Sequence, residues 1–434
     1  THPELLIAIA QRRPMKPPIV VLGGGVIGSS IAYHLTLQGC PCVVVEEHRP
    51  AGCASGKAAG FLAGGWGDRS TATLSRVSFD MHADLARALE LQSYRRLPTL
   101  AVRRRGDDGY SDDEGDGEGR GSGRTHVSWL DGAAEAEARL LDADTAQVCP
   151  AELSAAMLEA ATARGATLLL DEAVGLELAA LSEQECEEEG RRSKEEERTL
   201  RGVRLRQGGL LEASAVVAAM GPWTCKLEDW AGVPVPLEGV WSTSLVYEGV
   251  AEATSSPAAL FCTQEDEQGC TLEIFPRPNG ELYISGCGGS AIVTADVLRA
   301  GELPPSATDA PSAARVTAAE QSLRGLSARV AGRPSDRQQA CMRPTSPDGA
   351  PLIGGVPGVR GLFAATGHGP WGILWAPLTG KVVAELLLDQ PPSISLQRFS
   401  LRRFDTPTHR GLMRYRGRRR GEQPMGEQWG GTTP

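Results

Sequence analysis

No stretch of this sequence approaches the roughly eighteen consecutive apolar residues of a membrane-spanning helix, so no integral membrane segment is expected. The apolar start, Leu5 to Ala10, spans six residues without a small-residue cleavage site, which argues against a secretory signal. Ten cysteines over 434 residues are too sparse for a disulfide framework, and Cys40 and Cys42 stand too close for a relaxed bridge. A reducing setting, the cytoplasm or an organelle interior, is therefore expected. Residue 1 is Thr, so the N-terminus is expected to be incomplete. The seven histidines form no metal-spaced set with the cysteines, no metal is expected, and no nucleophile elbow or internal repeat is found. Net positive charge is also missing. The balance of 44 basic against 54 acidic residues gives −10, which argues against a nucleic-acid partner.

What is present suits a folded enzyme: 41% hydrophobic and 23% charged residues, on a length that favours two domains. The charge is uneven. Residues 106–124 carry net −5 and 183–199 net −4, almost without apolar residues, and both read as disordered surface loops. Residues 398–420 carry net +8, with Phe399, Phe404 and Tyr415 interleaved, and read as a basic tail. Periodicity predicts helices at Leu74–Leu91, Leu153–Arg164 and Leu378–Leu388. Strands are expected near Thr167–Leu170, Val203–Leu205, Ala215–Ala219 and Glu281–Ser285.

The strongest local signal is Ile19-Val-Val-Leu-Gly-Gly-Gly-Val-Ile-Gly28, where Gly23, Gly25 and Gly28 form G-x-G-x-x-G directly after an apolar strand. An apolar-periodic helix follows, then a strand, Val43–Val45, that ends at Glu46. Gly23 permits the turn, and Gly25 lets backbone approach a pyrophosphate beside the amides of Val26 and Ile27. Gly28 permits close helix–strand packing. Glu46, 21 residues beyond Gly25, is placed to bind ribose hydroxyls, with Glu47 as the alternative acid. The acid disfavours NADP; NAD and FAD both remain open on this unit alone.

The rest of the chain selects between them. Gly52-Cys-Ala-Ser-Gly-Lys-Ala-Ala-Gly60, Ala218-Ala-Met-Gly-Pro-Trp223, Cys341-Met-Arg-Pro344 and Gly367-His-Gly-Pro-Trp-Gly-Ile-Leu374 follow in order. Here the chain resembles the D-amino-acid oxidase, glycine oxidase and sarcosine oxidase superfamily of flavoenzymes, nearest a branch whose substrates are poorly characterised. The resemblance implies FAD. It implies cofactor contacts from Ala54, Ser55, Lys57, Ala58 and Gly60, from the backbone of Val174, from Gly221 and Trp223, and from Gly367, Gly369, Gly372 and Ile373. It also implies an α/β fold, a doubly wound Rossmann-type FAD domain interleaved with a mixed-sheet α+β substrate domain. The FAD parts are expected at 16–68, 145–230 and 336–392, the substrate parts at 69–144 and 231–335, and the tail at 393–434.

The same resemblance assigns Arg343 to a substrate carboxylate, a role that its planar fork suits. Glu273 stands where glycine-oxidase-like relatives place a tyrosine; it cannot reproduce a phenol's bond to a carboxylate but can bind an ammonium group. His368 is expected as a polar neighbour of the flavin. Cys341 aligns with the cysteine that monomeric sarcosine oxidase links to flavin. The expected function is FAD-dependent oxidation of a C–N bond in a small amine or amino acid by hydride transfer to flavin N5. The alternatives are a flavin-binding protein with little turnover, acting in trafficking or assembly, and a dehydrogenase that passes electrons to a quinone or carrier. Oligomeric state is left open.

Overall fold

The computed structural model describes residues 16–104, 124–134, 136–180, 198–250, 255, 257–303 and 309–404. Its centre is a six-stranded sheet in the order Leu352–Gly355, Leu362–Thr366, Ala215–Ala218, Ile19–Leu22, Cys42–Glu46, Thr167–Leu170. All neighbours are parallel except Leu352–Gly355, which runs antiparallel. These strands are predominantly apolar because both faces are covered. Val21, Val44 and Val217 pack under the helices Val26–Leu37, Ala72–Ala88, Pro150–Ala163 and Gly372–Leu387. Their neighbours Val20, Val43 and Val216 face a four-stranded sheet that contributes Leu176, Leu200 and Val203. A third, ten-stranded mixed sheet carries Glu238–Tyr247, Glu273–Pro276, Leu282–Ser285 and Arg337–Thr345.

The predicted helix at Leu378–Leu388 begins earlier, at Gly372, and runs through Pro377. Proline lacks the amide that would bond the Ile373 carbonyl, so an interior proline normally breaks a helix. Here the Ala72–Ala88 helix repairs the break. His82 Nε2 lies 3.1 Å from the Ile373 oxygen and 3.2 Å from that of Leu374. The Leu378 amide donates to Ser78 Oγ at 3.2 Å, and Trp375 Nε1 donates to Ser75 Oγ at 2.9 Å. Two carbonyl partners require the Nε2–H tautomer of His82. Burial pushes its pKa down to about 4, which keeps the ring neutral.

The acidic patches lie almost wholly outside the described residues, but their last members do not read as loop. Arg124 opens the strand Arg124–Thr125, and Arg198 and Thr199 open Arg198–Leu205. The stretch from 393 is likewise no simple tail as far as residue 404. Phe399, Leu401 and Phe404 are buried against the central sheet's two cores. Arg403 donates to both Asp348 oxygens, at 2.9 and 3.1 Å, and to the Ala350 carbonyl at 2.7 Å. Burial alone would raise the Asp348 pKa, yet Arg403 holds it below the ordinary carboxylate range. Arg403→Ala leaves that carboxylate half-compensated by Arg398, 3.7 Å away, and is expected to cost about 2–3 kcal/mol. Urea-melt midpoints of wild type and variant measure the loss.

Candidate active site

Parallel sheets bind ligands beyond the carboxyl ends of their strands. Four strands of the central sheet end at one cavity of about 330 Å³. Gly23, Gly25, Val26 and Ile27 follow the first strand, and Glu46 and Glu47 close the second. Ala219–Trp223 follow Ala215–Ala218, and Thr366 with His368–Ile373 follow Leu362–Thr366. Ala54, Ser55, Ala58 and Gly60 form a further wall.

Backbone conformation explains the glycines only in part. Gly23 has φ +102, and a Cβ there would sit 2.5 Å from the Ala219 carbonyl oxygen. Gly28 does not reach the cavity. A Cβ on it would lie 1.9 Å from the Gly23 oxygen, so Gly28, also expected among the cofactor-binding glycines, serves close packing of helix on turn instead. At Gly25 a Cβ would meet only Ser55, and at Gly221 and Gly369 it would project into open space. Those three positions leave a smooth backbone trough. The Val26 amide, at the helix start, donates to Ser55 Oγ at 2.9 Å, and Glu46 Oε2 accepts from the Gly24 amide at 2.7 Å. Helix-start amides, a bare glycine trough and a strand-end carboxylate form a donor and acceptor set that fits an extended dinucleotide.

Three sequence-derived contacts fall elsewhere. Val174 exposes its side chain and does not line the cavity; Ala173 does. The register shift between Ala173 and Gly175 turns the strand at this point. Lys57 points away, its Nζ donating to the Ala340 carbonyl at 3.1 Å and pairing with Asp309. Gly367, at φ +75, faces Leu237, Leu352 and Ser346 and is a packing turn.

The wall formed by the ten-stranded sheet carries Arg343, Cys341 and Glu273, and His368 joins them in the same cavity from the loop after Leu362–Thr366. Arg343 Nη2 donates to Ser242 Oγ at 2.7 Å, and Ser242 exchanges a 2.8 Å hydrogen bond with Ser290. Glu273 Oε2 accepts from Ser285 Oγ at 2.9 Å. His368 Nε2 meets Thr379 Oγ1 at 3.1 Å, and burial pushes its pKa down to about 3, so the ring is neutral near pH 7. Burial also pushes the Cys341 thiol up, with Arg343 and Lys57 opposing; a protonated thiol is a poor nucleophile.

Sequence reading missed the aromatic side of this wall. Tyr283 lies in the foreseen Glu281–Ser285 strand, with Arg277 stacked 5.0 Å from its ring. It lines the cavity with Phe275 and Phe61. Phe61, Trp66, Phe261 and Phe275 interlock at centroid distances of 5.2–5.5 Å. Period-two alternation could have put Tyr283 on one face of its strand, but not which face meets a cavity.

Residues 18–386 match the DAO family, FAD dependent oxidoreductase. The chain is 27% identical over 393 residues to the Schizosaccharomyces pombe protein C1F5.03c, an oxidoreductase by name, covering 86% of this chain and 94% of that one. It is 27% identical over 424 residues to glycine oxidase of Geobacillus kaustophilus, covering 89% and 96%. The crystal structure of the Geobacillus kaustophilus glycine oxidase superposes with a TM-score of 0.68 over 89% of this chain and 98% of that one, at 23% identity. L-amino acid deaminase from Proteus myxofaciens superposes with a TM-score of 0.69 over 91% and 95%, at 16% identity. Those superpositions show a shared fold, and the match over residues 18–386 shows the family: this chain belongs to the DAO family of FAD-dependent oxidoreductases.

Proposed function

We propose that the protein oxidises the C–N bond of a small amine or amino acid, which binds between the FAD loops and the wall that carries Arg343. The observation that carries this reading is the placement of a half-buried guanidinium, tethered by Ser242, in the same cavity as the dinucleotide trough. Bound FAD supplies the two-electron acceptor that takes a hydride as C–N becomes C=N, while the nitrogen's proton leaves to solvent.

The chain's own residues bind and orient. Gly25 and Ile27 would offer backbone amides to a pyrophosphate, Gly23 and Val26, whose amides bond Val45 and Ser55, shape the turn that lets it approach, and Glu46 and Glu47 would flank the adenosine end. Ala54, Ser55, Ala58, Gly60, Gly221 and Trp223 enclose the middle. Gly369, Gly372 and Ile373 line the cavity at the start of a sixteen-residue helix, whose amides would favour negative charge on a reduced flavin held there. Neutral His368 cannot supply that charge stabilisation; its position beside Thr379 suits it to fix the loop. Arg343 takes a substrate carboxylate and sets the reacting carbon by alignment.

The expected result for Arg343→Ala is full FAD content with a rise in KM for carboxylate-bearing substrates of about 100-fold, matching loss of a charge-assisted pair. Steady-state kinetics beside a flavin absorbance spectrum check this. Unchanged KM removes Arg343 from the substrate site.

A further inference from the structure

The segment 54–60 joins the two halves of the site. At its start the Val26 amide donates to Ser55 Oγ at 2.9 Å. At its end Gly60, at φ +80, passes so close to Val148 that a Cβ would stand 1.8 Å from the Val148 oxygen. The chain then enters the ten-stranded sheet as the strand Phe61–Ala63. Between these anchors lies the four-residue helix Ala54–Lys57, and the last carbonyls of a helix have no partner within it. The ten-stranded sheet supplies the partners. Gln339 Nε2 donates to the Lys57 carbonyl at 3.0 Å, and Arg277 Nη2 donates to the Ala58 carbonyl at 3.0 Å. In the other direction, Lys57 Nζ donates to the Ala340 carbonyl at 3.1 Å.

We propose that Lys57, Arg277 and Gln339 are positioning residues of the oxidation: their bonds fix the flavin-holding segment against the strand that carries Arg343. The inference rests on the amine-oxidation reading above and names the parts that set its reacting distance. Gln339, Cys341 and Arg343 alternate along one strand, Arg337–Thr345, and so share a face. Gln339 and Arg343 stand four residues apart, about 13 Å along that strand. A clamp at one end therefore sets where a carboxylate held at the other stands relative to the flavin. The clamp is stiff. Lys57 and Arg277 are buried, Lys57 pairs with Asp309, and Arg277 Nη1 donates to Glu281 at 2.8 Å. Arg277 also stacks 5.0 Å from the ring of Tyr283, whose hydroxyl bonds Ser244. Ser244 Oγ in turn accepts from Gln339 Nε2 at 3.2 Å, so the network closes on itself, and Tyr283 carries it to the cavity surface. Hydride transfer depends steeply on alignment: a displacement of about 1 Å can lower the rate on the order of 100-fold.

The test compares the FAD-loaded protein with two variants. Gln339→Met keeps the length of the side chain and removes its donor. Lys57→Met is the second, because the Asp309 it leaves is half exposed and keeps Arg49 at 3.9 Å. One readout needs no substrate: the visible circular dichroism of the bound flavin, which reports its orientation in an asymmetric site. At full FAD occupancy both variants are expected to differ from wild type in band amplitude. Arg277→Lys, which keeps a donor for the Ala58 carbonyl, is expected to match wild type. The other readout is anaerobic bleaching by any amine or amino acid that reduces the wild-type flavin. The saturating rate is expected to fall about 100-fold in both Met variants, with half-saturation changed less than about threefold. Wild-type dichroism and rate in both would overturn the inference. Loss of FAD or of folding in both, or a rise in half-saturation as large as the fall in rate, would make the bonds structural and overturns it equally. If no compound bleaches a wild-type flavin that dithionite does reduce, amine oxidation falls, and the dichroism alone decides whether these residues place the flavin.

Discussion

Gly28→Ala is expected to emerge from purification folded but without its yellow cofactor. The added Cβ would lie 1.9 Å from the Gly23 carbonyl oxygen and 3.3 Å from Val21 Cγ1. Neither neighbour can yield cheaply, because Val21 is fully buried in the central sheet and Gly23 is bonded through its amide to the Val45 carbonyl at 2.7 Å. The Val26–Leu37 helix must therefore lift from the strand, which carries the Gly25 and Ile27 amides away from the pyrophosphate position. Overpacking of this kind costs about 1–3 kcal/mol of stability. Misplacing the anion-binding amides by about 1 Å is expected to weaken FAD by on the order of 100-fold or more. Flavin absorbance per mole of protein, followed by FAD titration of the stripped chains, measures it. Gly39→Ala is the control: nothing lies within 4 Å of its Cβ, and only the strain of φ +72 is added. Wild-type flavin content in Gly28→Ala would mean that the helix start does not hold the cofactor.

Acid should unfold the protein well above the carboxylate range. Burial pushes His34 and His82 down to about 4 and His368 to about 3, from 6.5 in the unfolded chain. Between pH 6.5 and 4 the unfolded chain therefore binds protons that the native state refuses, so stability rises with pH in this window and falls as acid is added. Each histidine contributes about 1.4 kcal/mol per pH unit, and the three together remove roughly 5 kcal/mol between pH 7 and pH 5. That is comparable to the whole stability of a modest domain. Denaturant midpoints at pH 7, 6 and 5 should fall steeply. His82→Gln, which can still donate to the Ile373 carbonyl, should lose about a third of the slope. Flat midpoints across this range would show that the three rings do not titrate as their burial requires.

Local chemistry made the cofactor end of the site legible. The Gly23–Gly28 unit and Glu46 are set by one strand–turn–helix–strand, and the segments after Ala218 and Thr366 sit at strand ends that the central sheet brings side by side. What sequence could not show depends on partners far along the chain. Phe61, Phe261 and Phe275 meet only because three separate strands share one sheet. The helix expected from Leu378 starts six residues earlier because His82 and Ser78, some three hundred residues earlier in the chain, supply what Pro377 removes. Val174 and Ala173 are neighbours in one strand, so their side chains face opposite sides, and only Ala173 lines the cavity. Arginine-rich composition masked the apolar spacing of Phe399, Leu401 and Phe404, whose burial needs Asp348 to receive Arg403.

One measurement bears on the central claim most directly: anaerobic addition of small amines and amino acids to the purified, FAD-loaded protein, read by the flavin's visible absorbance. The expected result is that at least one of them bleaches the oxidised band to the two-electron-reduced spectrum and that air restores it or an added acceptor does. A flavin that dithionite reduces but that every amine and amino acid leaves oxidised would contradict C–N oxidation as the function of this site.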